Sequence, residues 1–377
     1  MRHHTKFIAG VLASTLLLAG CSATAVEVAG TIASTPATST QEPSVTASTV
    51  AGVDVDWSAL PTTDVTLTDE GLAITAAGTY VLTGSSTGQI TVDTDGYVRI
   101  ILNGVTLAST EGAAIQIDNA ELTVLELADG TTNTVSDAST RSDEEVDGAI
   151  YSSDDLYLSG TGTLQVTANF ADGIVGKDDL WILEGSIDVT GVDDGIRGTD
   201  SLTISGGMIT IDADGDGLKS TNDTDLGAGN LTISGGDVTI ASGDDAVKAE
   251  QQISITGGVI DITESVEGIE APVIVIDDGE IALAASDDGI NASSSAIITS
   301  GLSITFNGGT ITIVMGAGDT DAVDTNGDLT INGGTFDITA QSAFDYDGTG
   351  TLNGGTITVN GAAVTTLAGG MGGRGRP

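Results

Sequence analysis

The chain has 377 residues, 54 of them acidic and 10 basic, and its formal charge of −44 repels bare nucleic acid and anionic membrane surfaces while attracting oxygen-seeking cations. Regular runs of the 40% hydrophobic residues argue against a disordered polyanion. Cys21 is the one cysteine and His3 and His4 the only histidines, so a chain processed at Cys21 offers no disulfide, Cys/His zinc site, Ser-His-Asp triad or cysteine nucleophile.

Residues 1–21 read as a lipoprotein signal peptide. Basic residues Arg2 and Lys6 precede an apolar run from Phe7 to Leu18, which ends in the lipobox Leu18-Ala19-Gly20-Cys21. The run is short for a membrane span, so lipidation of Cys21 would hold the protein on the extracellular side of the cell membrane. Residues 22–50, rich in Ser, Thr and Ala with Pro36 and Pro43, form the expected flexible tether. Residues 51–361 form the expected body, and residues 362–377, mostly glycine towards Pro377, a disordered tail.

Inside the body the chain repeats. An acid, a small residue and an aliphatic one recur at Asp172-Gly173-Ile174, Asp194-Gly195-Ile196, Asp216-Gly217-Leu218, Asp245-Ala246-Val247, Glu267-Gly268-Ile269, Asp288-Gly289-Ile290 and Asp321-Ala322-Val323, at spacings of 22, 22, 29, 22, 21 and 33. Between them stand glycine pairs, as in Ser205-Gly206-Gly207 and Asn307-Gly308-Gly309, flanked by short alternating strands. Such units, with no helical period, predict an all-β, right-handed parallel β-helix, a solenoid with coils of about 22 residues. Asn222 to Asn230 and Asn291 to Gly301 are expected loops. Asp64 to Leu127 reads as amino-terminal coils without the acid column, and Ala128 to Val146 as an extruded polar loop.

In a parallel stack the acids of neighbouring coils lie about 4.8 Å apart, where like charges cost roughly 3–4 kcal/mol at an effective dielectric of about 20. The column is doubled by Asp193, Asp244 and Asp287, and by Asp214 two residues before Asp216. Three residues after the acid stand Arg197, Lys219 and Lys248, with Lys177 nearby; farther on the same position holds Glu270, Asn291 and Asp324. Basic compensation stops while the acids continue, and Ca2+, which takes six to eight oxygen ligands, is the expected cofactor. Its candidate ligands are Asp172, Asp193, Asp194, Asp214, Asp216, Asp244, Asp245, Asp287 and Asp288. The segment Asp212-Ala213-Asp214-Gly215-Asp216-Gly217 matches the start of an EF-hand loop, but strands are expected on both sides of it. A solvated acidic edge that keeps the solenoid soluble is the alternative. Aromatic residues make up 3%, too few for a broad sugar-stacking platform; Tyr151, Tyr157, Phe170 and Trp181 are assigned to core or edge packing, and Phe344 and Tyr346 to a cap.

With the lipobox, the segment from Asp172 to Leu180 and the Asp193-Asp194-Gly195-Ile196-Arg197 motif, the chain resembles bacterial calcium-binding, carbohydrate-binding parallel β-helix proteins, similar in fold to pectate-lyase-type polysaccharide lyases. The resemblance covers Asp64 to Gly361. It implies calcium at the aspartate corners and affinity for cellulosic or acidic, pectin-like polysaccharide, with Glu267 a point of departure. The leading expectation is a monomeric, calcium-dependent, carbohydrate-binding surface lipoprotein that takes no nucleic acid and meets the membrane only through its anchor. A lyase of uronic-acid polymers, using Lys219, Lys248 or Arg197 as the proton acceptor, is the enzymatic alternative. A structural solenoid or adhesin is the third.

Overall fold

The computed structural model describes residues 53–317 and 320–367, all within one compact unit that begins at Ala47. The expectations for residues 1–50, Cys21 included, and for residues 368–377 lie outside the described residues.

The described chain is all-β, its one helical turn being the 3-10 segment Trp57–Ala59. Its strands form a 24-stranded and a 12-stranded sheet. From Leu156 onward each strand pairs in parallel with the strand three places later. The smaller sheet receives Asp172–Gly176, Ile196–Gly198, Leu218–Ser220 and Val247–Ala249 in turn. The larger one receives two strands per repeat, for example Ser201–Ile204 and Met208–Ala213. These build two separate ladders, which the 12-residue strand Tyr97–Ala108 joins by pairing with Leu122–Leu127 near its start and Thr132–Ser136 near its end.

Alternation within each strand sends the aliphatic residues into one continuous core. Ile174, Ile196, Leu218, Val247, Ile269, Ile290 and Val323 occupy a single register column and are all buried, so the aliphatic third member of the repeat is its core anchor. The second glycine of each pair is left-handed, from +87° at Gly309 to +98° at Gly334, a conformation any side chain would strain. Gly185 and Gly279, after Glu184 and Asp278, fill the same turn without the Ser/Thr/Asn that marks the other pairs.

Two boundaries differ from expectation. Residues 128–146 are not all loop: Thr132–Ser136 is a strand paired with Thr163–Thr167, and Val135 and Asn133 are buried. Asn133 reaches the core position beside Leu164 because its amide is fully used there, with Oδ1 accepting from the Gly104 and Val105 amides at 2.9 and 3.0 Å and Nδ2 donating to the Thr163 carbonyl. At the other end Ala362–Val364 turns back antiparallel onto Thr356–Val359, so regular structure continues past the expected start of the tail at residue 362. Asn222 to Asn230 and most of Asn291 to Gly301 are loops between strands.

Candidate functional site

The 12-stranded sheet sets the site. The residue after the buried aliphatic position of each rung forms the next register column, which aligns Gln116, Tyr151, Val175, Arg197, Lys219, Lys248, Glu270, Asn291, Asp324 and Asp345 in consecutive rungs. The basic run and its acidic continuation are thus one column. Lys177 lies outside it, in the turn after Gly176, and Val175 takes the place beside Arg197.

The doubled acids separate into two kinds. Asp172, Asp194, Asp216 and Asp245 are buried at 2–5% exposure, whereas Asp193, Asp214, Asp244 and Asp287 are exposed and Asp288 is half-buried. Three of the buried carboxylates, and half-buried Asp288, serve the next rung. Asp172 Oδ1 accepts from the Asp194 amide at 3.1 Å, Asp194 Oδ1 from Asp216 at 2.9 Å, Asp216 Oδ1 from Asp245 at 2.9 Å, and Asp288 Oδ1 from Asp321 at 3.1 Å. The acid column is therefore part of the backbone hydrogen-bonding scheme, at a corner where no strand carbonyl is available.

Bases bridge the rungs. Arg197 joins Asp147 to Asp172, the latter at 2.6 Å; Lys219 sits 3.0 Å from Asp194 and 2.6 Å from Asp216; Lys248 sits 2.5 Å from Asp245 and 2.6 Å from Glu270. Burial alone would lower both lysines, but the carboxylates on either side outweigh it and hold them above the ordinary lysine range. A lysine so held keeps its proton at neutral pH, which works against Lys219 or Lys248 as the base of an elimination.

Beyond Lys248 no base enters the column. Burial, with Glu270 nearby, pushes Glu267 up to about 7, although Asn291 donates to it at 3.0 Å. Burial and the charges of Asp288, Asp321 and Asp345 push Asp324 up to about 7, and burial takes Asp288 to about 6. Carboxyl oxygens converge within 4.8 Å in Asp216, Asp244 and Asp245 and again in Asp245, Glu267 and Glu270. Asn291, 7% exposed, has a buried Oδ1 that accepts no hydrogen bond among the described residues.

A third convergent group, Asp155, Asp178 and Asp179, sits where two strands of the larger sheet begin, outside the acid column that the repeat marks. Burial, then Asp178 and Asp179, push Asp155 up to about 6. Tyr157, Trp181 and Tyr151 lie in small clusters apart from the main core, whereas Phe306 and Phe336 belong to it. Tyr157 stacks on Trp181 at 4.3 Å under the segment carrying Val53 and Trp57, and Tyr151 is covered by Val146.

An acidic, amide-rich and hydroxyl-rich sheet face of this kind suits sugars and hard cations. A family model for carbohydrate-binding domain-containing proteins matches residues 68–320, which takes in the acid column from Asp172 to Asp288 and most of both sheets. The chain belongs to this family. A carbohydrate-binding domain-containing protein of Acetivibrio thermocellus is 36% identical over 133 residues, 33% of this chain and 46% of the relative, so the chain matches about half the length of that curated family member. Among solved structures, the polysaccharide lyase-like protein from C. thermocellum, described as a gadolinium derivative, is similar with a TM-score of 0.51 and 33% identity, over 52% of this chain and 89% of that one. The chain thus shares part of its fold with a solved polysaccharide lyase-like protein.

Proposed function

We propose that the protein binds polysaccharide through calcium held on the acidic column of a right-handed parallel β-helix, anchored to the outer face of a membrane by lipid on Cys21. The three-strand period, the parallel pairing throughout the repeats and the right-handed preference of parallel crossovers support the winding. The observation that carries the calcium reading is the loss of basic partners after Lys248 while the carboxylates continue, with the buried Asn291 Oδ1 accepting no hydrogen bond among the described residues.

The donor set fits calcium, all oxygen and mostly carboxylate. Glu267, Asp288, Asn291 and Asp324 would supply oxygens beyond the bases; Asp216, Asp244 and Asp245 also converge, although Lys219 and Lys248 already engage Asp216 and Asp245, as Arg197 and Lys219 engage Asp172 and Asp194. Bound calcium supplies positive charge for sugar carboxylates or hydroxyls. The protein's own groups fix the rungs, leave the exposed Asp193, Asp214, Asp244 and Asp287 facing solvent, and keep Lys219 and Lys248 protonated.

A polyuronate and a chain of charge −44 repel one another, so an acidic polysaccharide needs an intervening cation. Polygalacturonate binding is expected with calcium, to vanish in chelator, and to survive within a few-fold in the Lys219→Ala, Lys248→Ala double variant. Binding that persists in chelator but fails in the double variant would overturn the bridge and assign the ligand to the bases. Appearance of unsaturated uronate product would instead make the protein a lyase.

The anchor has its own test. Cys21→Ser should move the protein from the membrane fraction to the medium or a soluble fraction. Retention equal to that of the parent removes the lipid from the account.

A further inference from the structure

We propose that the amino-terminal end of the 12-stranded sheet carries a second carbohydrate subsite, shaped for neutral sugar units and independent of calcium. The inference rests on the carbohydrate-binding reading above but not on its metal. A cavity of about 620 Å³ opens between Gln116 on the 12-stranded sheet, Gln89 just before the strand Ile90–Asp93, and the loop residues Thr140, Arg141 and Asp143. A second hollow of about 370 Å³ shares Gln89, Thr110 and Glu111 with it and extends to Ala73 and Thr91. Ala73, Thr91 and Gln116 lie on successive rungs, so the floor runs for two strand spacings, roughly 10 Å, about the reach of a disaccharide.

The loop that forms the wall is fixed without a ligand. Arg141, its side chain 1% exposed, donates from Nη2 to Asp137 at 2.5 Å and to the Gly148 carbonyl at 3.0 Å, and its guanidinium lies 4.9 Å from the centre of the Phe170 ring. Asp137 is held in turn by the Asn169 amide at 2.6 Å. Val146 closes the loop onto Tyr151 and Val175. A concave site already formed in the free protein loses less affinity to ordering than one that must assemble around its ligand.

The lining selects the ligand. Gln89 and Gln116 offer amides, held in place by donation to the Ala113 carbonyl and to Asp118, Thr110 and Thr140 offer hydroxyls, and Glu111 and Asp143 exposed carboxylates. The wall's one cation, Arg141, is buried and neutralised by Asp137. A uronate would face Glu111 and Asp143 with nothing to offset its charge. A neutral pyranose would donate its hydroxyls to those carboxylates and exchange hydrogen bonds with the amides. The loop packed over Tyr151 and Val175 separates this cavity from Arg197, where the ionic column begins three rungs from Gln116.

Calorimetric titration of the full chain with cellotetraose, xylotetraose and mannotetraose, in chelator, tests the proposal. At least one is expected to bind, with affinity reduced roughly tenfold by Gln116→Ala and by the shape-conserving Glu111→Gln, the scale of one or two lost hydrogen bonds. The Lys219→Ala, Lys248→Ala variant should bind it like the parent. Absence of binding by all three sugars in chelator, or binding indifferent to both cavity variants, overturns the proposal. Thermal melts confirm that each variant is folded, and because Gln116 is half-buried, Glu111→Gln alone suffices should Gln116→Ala prove unstable. Loss of calcium-dependent polygalacturonate binding with neutral sugars still bound would remove the calcium reading and leave this one standing; the reverse pattern would do the opposite.

Discussion

In chelator the protein should melt at a lower temperature at about pH 8 than at about pH 5, and calcium should restore the difference at the higher pH while adding little at the lower. Glu267 and Asp324, each pushed up to about 7, and Asp288, pushed up to about 6, carry this expectation. Burial is the first cause for all three, followed by neighbouring carboxylates for Asp324 and Glu267. Their folded values stand above the unfolded ones, so the folded state holds more protons between about pH 4 and pH 7. The stability this gives is complete below the unfolded values and is lost as pH rises through the folded values. Three partly buried groups amount to a few kcal/mol after allowance for solvent screening, or roughly 5–10 °C of melting temperature. Calcium binds the ionised form, which is why its effect should grow with pH. A melting temperature that is flat or rises over this range in chelator, or a calcium increment equal at both ends, would mean that these carboxylates are merely solvated.

Asp194→Ala should be the most damaging single change in the acid column, at about 3–5 kcal/mol, and Asp194→Asn should cost less than half of that. The carboxylate is 5% exposed and has three tasks. Its Oδ1 accepts the Asp216 amide at 2.9 Å, its Oδ2 lies 3.0 Å from Lys219, and Arg197 stands 4.0 Å away. Alanine leaves a buried amide without an acceptor and removes one of the two carboxylates that balance Lys219. Asparagine keeps an oxygen in reach of the amide and loses only the charge. Urea melts of the two variants beside the parent separate the contributions. Equal losses would show that charge alone matters, and a loss below about 1 kcal/mol for alanine would show that the rung does not depend on this acceptor.

The repeat was readable because one residue of each unit does not vary in kind. Ile174, Ile196, Leu218 and their successors are aliphatic wherever the core demands it, and the acid two places earlier and the base one place later follow in register. Side-chain direction at the corner was not readable, because period-two alternation fails where the chain turns: Asp193 and Asp194 are neighbours, yet one faces solvent and the other the backbone of the next rung. Thr132–Ser136 reads as loop in the sequence because its core positions hold Asn133 and Val135 among threonines, and a buried asparagine that satisfies a bulge at Gly104 has the composition of a turn. The cavity beside Gln116 could not be read at all. It exists because a non-repeating loop folds back through Arg141 and Asp137, four residues apart, and no period marks such a contact.

Parallel strands stacked in register are also a template for their own extension, since the last rung presents to solvent the same unpaired amides and carbonyls as every rung before it. Ala362–Val364 changes this by pairing antiparallel with Thr356–Val359. A second molecule adding its first strand in the parallel sense would meet a neighbour of opposite polarity, only three residues long. The remaining terminal strands, Gly350–Leu352 and Asp345–Tyr346, are equally brief. The reversed strand therefore closes one of the three strands of the last described rung to parallel addition and leaves only the two short ones open.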